Sequence, residues 1–211
     1  DSTGAHLKQF ASAGKPIVII DRKLPQLACD SVLVDNRDAA RKAVEILIRN
    51  GHQNIGMITG PEDIYTARER CHGYVMALEE AGIKVNKDLI VHSDYTIRGG
   101  VAGAEGLLDA HPEMTALFAS NYELTMGTMI VLNERGISIP EEMSVIGFDN
   151  REFARALHPK LTIITQPTEE IAAQVAETML SRLESGAQDA WKELYLQTEV
   201  MSGKSVKNLL I

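Results

Sequence analysis

Five short apolar runs in this chain each stop at a polar residue, and that repeated ending most narrows what it can fold into. Pro16–Ile20 runs into Asp21, Ile55–Ile58 into Thr59-Gly60-Pro61, and Leu89–Val91 into His92-Ser93-Asp94-Tyr95. Ala116–Ala119 runs into Ser120-Asn121, and Ser144–Phe148 into Asp149. Helix-period segments separate most of them, so the runs read as buried parallel strands. Ligands of open α/β sheets sit outside the carboxyl ends of the strands. The polar endings therefore predict one small polar ligand held where they converge.

The segments between the runs carry their own stops. Ala5–Ala13 reads as a helix ending at Gly14. Asp35–Asp38 opens a helix with an acidic capping pattern before Ala39–Asn50, and Gly51 ends it. Helices are also predicted over Thr66–Ala81 (stop Gly82), Gly99–Ala110, Tyr122–Arg135 (stop Gly136) and Glu169–Glu184 (stop Gly186). Further strands are expected at Val32–Val34, Thr162–Thr165 and Glu193–Val200, giving alternating strand and helix from about Asp35 to Ile163. The flanks, with one or two helices and a strand, are too short to close a core alone, so the natural chain is expected to continue before Asp1.

Composition bounds the function class. The 211 residues carry 21 Lys+Arg against 29 Asp+Glu, a net charge of −8. Such a surface does not grip phosphate backbones by itself, because that affinity comes from Lys and Arg. No apolar stretch is long enough to span a bilayer. The two cysteines, Cys29 and Cys71, fit reduced thiols in a cytoplasmic protein.

Arg70 is the first candidate for chemistry. Ala67, Cys71, Tyr74, Leu78 and Ala81 make an apolar stripe, and Arg70 lies roughly 40° from Tyr74 on its flank. An inward Arg needs hydroxyls or a carboxylate for its planar fork of donors; the alternative is a side chain reaching solvent or pairing with Glu69 or Glu79. Asp149 could accept two hydroxyls or pair with Arg70, or else cap the following segment. Asn121 offers a donor and an acceptor to a hydroxyl, with helix capping as its alternative. Asp21, Thr66, Tyr95 and Gln166 are further candidates at strand ends or loops. No nucleophile elbow, phosphate loop or metal-ligand spacing is present, so no catalytic residue, metal or cofactor is expected. Gly99-Gly100-Val101-Ala102-Gly103 reads as a site of close helix packing rather than a phosphate cradle.

Several segments together carry a family resemblance. They are Val32–Asp38, Gly51-His52-Gln53-Asn54-Ile55-Gly56, Thr59-Gly60-Pro61 and Ala67-Arg68-Glu69-Arg70-Cys71-His72-Gly73-Tyr74. Pro140–Asn150, with Ser-Val-Ile-Gly-Phe-Asp inside it, and Pro159–Pro167 complete the set. In this order they resemble the lactose/galactose-repressor (LacI/GalR) family of bacterial transcription regulators. The resemblance implies a type I periplasmic-binding-protein-like α/β fold: two doubly wound parallel-sheet lobes joined by three crossovers, near Val34-Asp35, Ile164–Gln166 and Leu194–Gln197. Residues 1–34 and 166–194 would form part of an N-terminal lobe, incomplete in this chain, and 35–165 with 195–211 the C-terminal lobe.

The resemblance further implies a sugar or sugar-derivative effector between the lobes. Arg70, Asn121 and Asp149 would contact it from the C-terminal lobe, Asp21 and Gln166 from the N-terminal lobe and hinge, with Thr66 and Tyr95 beside them. It implies a homodimer that binds operator DNA through a helix-turn-helix headpiece not in this chain, without a membrane partner. Two positions depart from the family pattern: Tyr122 stands where an Asp usually follows the Asn, and Ser202-Gly203 where an Arg is frequent. The rival readings are the sugar-binding protein of an importer, with the same cleft, and an α/β enzyme using Asp149 as a base.

Overall fold

The computed structural model describes residues 3–24, 26–185 and 190–210. They divide into two compact units. One comprises residues 1–35 and 166–198, the other residues 36–165 and 199–211.

The larger unit is a doubly wound sheet. Its strands are β3 (Ile55–Thr59), β4 (Ile90–His92), β5 (Ala116–Ala119), β6 (Ser144–Phe148), β7 (Thr162–Thr165) and β9 (Glu199–Met201), in the spatial order β4-β3-β5-β6-β7-β9. All neighbours run parallel except β9, which pairs antiparallel to β7 with Thr165 opposite Glu199. The central strands are buried along their whole length, as expected of strands covered on both faces.

Alternation along each strand divides the core in two. Met57, Phe118, Ile146 and Ile164 face one cluster with Ala39, Ala43, Leu47, Tyr74 and Leu78 of helices α2 (Asn36–Arg49) and α3 (Tyr65–Glu80). Ile58, Leu117, Val145 and Ile163 face the other, with Ala104, Leu107, Leu124 and Leu132 of α4 (Ile97–Ala110) and α5 (Tyr122–Glu134), and Ala154 of α6 (Arg151–Ala156). Helix pairs meet closely where glycine removes the side chain. A Cβ on Gly73 would overlap the carbonyl of Arg37, joining α3 to α2, and one on Gly127 would overlap the carbonyl of Ile97, joining α5 to α4. Gly100 abuts the backbone of Leu124 and Gly103 abuts Ile58, so the α4 glycine cluster serves packing.

The smaller unit has three parallel strands, β1 (Val18–Ile20), β2 (Asp30–Val34) and β8 (Glu193–Leu196), in the order β1-β2-β8. Two helices accompany them, α1 (Lys8–Ser12) and α7 (Thr168–Ser185). Asp30, at the start of β2, is 1% exposed and takes a two-pronged ion pair from Arg182 of α7 (Nε–Oδ2 2.7 Å, Nη2–Oδ1 2.9 Å). The backbone amide of Lys192 donates to the same carboxylate at 2.9 Å. Burial alone would raise the Asp30 pKa, but these donors hold it below the ordinary carboxylate value.

Several elements differ from expectation. Ala5–Ala13 is not one helix but a 3-10 turn at Ala5–Leu7 followed by α1. The strand expected over Glu193–Val200 is two strands in different sheets, β8 and β9, because the chain changes unit after Thr198. The boundary expected after Leu194 therefore falls four residues later, since Tyr195 and Leu196 still pair with Leu33 and Val34 of β2. α4 starts two residues earlier than Gly99 because the Thr96 hydroxyl oxygen accepts from the Gly99 amide (3.0 Å). α6 is not among the expected helices; its Asn150 cap lies two residues beyond the end of β6. The expected stop at Gly186 lies outside the described residues.

Candidate functional site

In the larger unit, β3 has β4 on one side and β5 on the other, so the strand order reverses between β3 and β5. Such a switch point opens a crevice at the carboxyl ends of the two strands. Thr59 and Ser120 mark that spot, with the Ser120 hydroxyl donating to the Thr59 hydroxyl at 3.0 Å.

Arg70 is held at the same place. Its side chain turns inward and the residue is 3% exposed. Its Nη1 donates to the Ser120 carbonyl at 2.6 Å, and its Nε to Oδ1 of Asn36, the first residue of α2, at 2.7 Å. Its guanidinium carbon lies 3.7 Å from the centre of the Phe148 ring, a stacked cation–π arrangement. Neither Glu69 nor Glu79 supplies these contacts; Glu69 pairs with Arg37 instead. A planar cation fixed on two acceptors and an aromatic face is oriented before any ligand arrives.

Phe148 is the last residue of β6, so Asp149 leaves the strand beside the ring on which Arg70 stacks. Its amide donates to the Ile164 carbonyl at 2.7 Å. Asp149 and Asn150 both adopt left-handed backbone (φ 63° and 55°). The cap of α6 is Asn150, whose Oδ1 accepts from the Phe153 amide at 2.9 Å. The capping alternative for Asp149 therefore falls to its neighbour.

Left-handed backbone in residues other than glycine costs free energy and gathers at functional sites. Among the described residues it occurs at Asp21, Tyr95, Asp149 and Asn150. Each lies within three residues of the carboxyl end of a strand, and the first three are candidates named from sequence.

The remaining candidates are placed as follows. Asn121 caps α5: its Oδ1 accepts from the Leu124 amide at 2.8 Å and its Nδ2 donates to Glu123 at 2.6 Å, so the capping alternative holds for its carbonyl oxygen. Thr66 is buried one turn before Arg70 on α3. Tyr95 lays its ring against Gly60, where any Cβ would overlap it, and its hydroxyl is buried without a hydrogen-bond partner among the described residues. Asp21 and Gln166 belong to the smaller unit, Asp21 at the end of β1 with its amide bonded to the Val32 carbonyl at 2.9 Å.

Sequence reasoning missed Asn36, Ser120 and Phe148 as partners of Arg70. Asn36 was visible only as part of a helix start, yet it is 1% exposed. Among the described residues no group of three or more His, Cys, Asp or Glu is placed to hold a metal ion. None of the described helices is long and apolar enough to cross a membrane.

A model of the periplasmic binding protein-like domain matches residues 44–206. The HTH-type transcriptional regulator AscG of Escherichia coli (strain K12) is 36% identical over 172 residues, covering 82% of this chain and 51% of the relative. The chain spans about half the length of the curated relatives it matches. A solved complex of the transcriptional regulator CelR with cellobiose superposes with TM-score 0.85 at 33% identity, covering 92% of this chain and 59% of that one. A LacI family transcriptional regulator from Enterococcus faecium, with bound ribose, superposes with TM-score 0.86 at 30% identity, covering 99% and 76%. By its matched domain, its parallel α/β architecture and these relatives, the chain belongs to the periplasmic binding protein-like family, among the LacI family of transcriptional regulators.

Proposed function

We propose that this chain is the effector-binding region of a LacI-type regulator and that the effector is a sugar or sugar derivative. The observation that carries the reading is Arg70, buried at the strand-order switch and oriented by Asn36, Ser120 and Phe148. A guanidinium held this way offers planar N–H donors to hydroxyl oxygens, and the carboxylate of Asp149, the residue after Phe148, can accept hydrogen bonds from hydroxyls. Thr66, Tyr95 and Asn121 complete the larger unit's share, and Asp21 and Gln166 contribute from the smaller unit. Ribose and cellobiose are the ligands named with two related structures, and they suggest the ligand class here.

The reading is of a site that binds its ligand without transforming it, in keeping with named relatives that regulate transcription. A ligand gripped by both units favours one angle between them, and in a homodimer that angle sets the spacing of two DNA-reading headpieces. A preference of about 1–3 kcal/mol for one angle changes operator affinity several-fold or more. A protein acting on operator DNA works in the cytoplasm.

The test is calorimetric titration with a panel of sugars, ribose and cellobiose included, on the wild type and Arg70→Ala. The reading expects at least one sugar to bind and the variant to lose that binding. An unchanged affinity in the variant removes Arg70 from the site.

A further inference from the structure

Helix α7 of the smaller unit carries apolar residues on the side turned away from its sheet. Arg182 marks the inner side, since it pairs with Asp30 of β2. By helical period Ile171, Val175 and Thr178 lie around Arg182, and all three are partly buried. Ala173, Ala176, Leu180 and Leu183 lie on the far side and are all exposed. Leu180 and Leu183, at 58% and 63%, are the most exposed large apolar side chains of any helix or strand among the described residues. The spacing of three, four and three residues is that of a seam between paired helices. The alanines at one end leave room for close approach, and the leucines at the other supply side chains to bury.

One flank of this seam is acidic. Glu170, Glu177 and Glu184 recur at heptad spacing in a single row beside it, all exposed. Among the described residues none of them forms an ion pair, and Glu177 accepts only from Gln174 of the same helix, at 3.4 Å. The other flank has Ala172 and Met179 and no charge. A second copy of α7 laid antiparallel would set one glutamate row against the other. Laid parallel, it would set the glutamates against alanine and methionine. Neither arrangement gives the carboxylates a partner, and the first adds repulsion.

We propose that this face of α7 docks an amphipathic helix of a partner protein, with apolar residues at matching spacing and Lys or Arg along the flank that meets the glutamates. The seam supplies the buried contact, and the charges at its rim set orientation and choice of partner. The surface uses none of the candidate site residues, so it stands or falls apart from the sugar reading.

The test is fluorescence anisotropy with two labelled helical peptides that share a leucine seam, one flanked by lysines and the other by glutamates. The chain is used as wild type, as Leu180→Ser with Leu183→Ser, and as Glu170→Lys with Glu177→Lys and Glu184→Lys, with melting temperatures reporting the fold. The wild type is expected to bind the lysine peptide at least tenfold more tightly than the glutamate peptide. The leucine variant is expected to lose tenfold or more of that affinity, and the charge variant to reverse the preference. Binding that survives in the leucine variant is attraction to the negative chain at large and overturns the inference, as does equal binding of the two peptides or of neither. Wild-type dimers in sedimentation that the leucine variant dissociates would assign the face to a second copy and overturn it too. Should the serine variant melt early, Leu180→Ala with Leu183→Ala is judged by the same loss.

Discussion

Arg70 is a fixed part of the fold and, in the proposed site, a ligand group as well. Its partners include two oxygens and a ring, and removing it takes from the buried Asn36 oxygen its 2.7 Å donor. Arg70→Ala is therefore expected to cost stability as well as binding, about 1–3 kcal/mol for the lost hydrogen bonds to buried acceptors. Arg70→Lys separates the two roles, because it keeps a positive charge but cannot stack flat on Phe148 or donate along two directions. It is expected to fold and still to weaken the binding of any sugar that titrates.

A second residue-scale prediction concerns pH. His52 is 1% exposed, with Nδ1 2.9 Å from the Thr115 hydroxyl and Nε2 3.1 Å from the Lys207 carbonyl. Burial lowers its pKa below the ordinary 6.5, and the Lys207 carbonyl offsets only part of that. Below 6.5 the unfolded chain takes up a proton more readily than the folded one. The His52 contribution is thus whole above that pH and fades as the solution is acidified through it. Urea melts of the wild type and His52→Gln between pH 5 and 8 check this, with the wild type losing more stability on the acid side.

At this scale the sequence supported the inward turn of Arg70 through its place beside an apolar stripe, because helical period is a local property. It could not reveal Asn36 and Ser120 as partners, which lie 34 and 50 residues away and meet Arg70 only in the folded unit. Asp149 and Asn150 illustrate a finer limit: either can cap a helix, and the backbone angles decide that Asn150 does.

At the scale of elements, the α2–α3 pair depends on Gly73, since the α2 backbone at Arg37 occupies the space of a side chain there. Gly73→Ala forces the helices apart and is expected to destabilise the larger unit by about 1–3 kcal/mol, measurable by chemical denaturation. In the smaller unit, the ion pair between α7 and β2 is buried on both sides (side chains 5% and 1% exposed). Arg182→Ala leaves the Asp30 carboxylate buried without its cation, at a cost of about 3–5 kcal/mol. Because the Asp30 pKa is depressed, the pair stabilises above the ordinary carboxylate range and is lost as pH falls through the lowered value.

Parallel strands with apolar, fully buried runs were the most legible elements; β5 and β7 have the bounds expected for them. Glu193–Val200 was illegible as two strands because its residues alternate without a break, and only the passage between sheets divides it. α6 escaped notice because six residues hold too little period to register.

For the molecule as a whole, charge and site geometry make separate demands. With 29 acidic against 21 basic residues, the chain alone is expected to show no retention on duplex DNA in gel shifts at physiological salt. The central claim is that a sugar is gripped at the carboxyl ends of the strands by Arg70 and Asp149 together. The most direct measurement is a calorimetric double-mutant cycle on the tightest-binding sugar of the panel, using Arg70→Lys, Asp149→Asn and the double variant. Losses of tenfold or more in each single variant that fail to add in the double one are the predicted result. Two variants that bind that sugar as tightly as the wild type would contradict it.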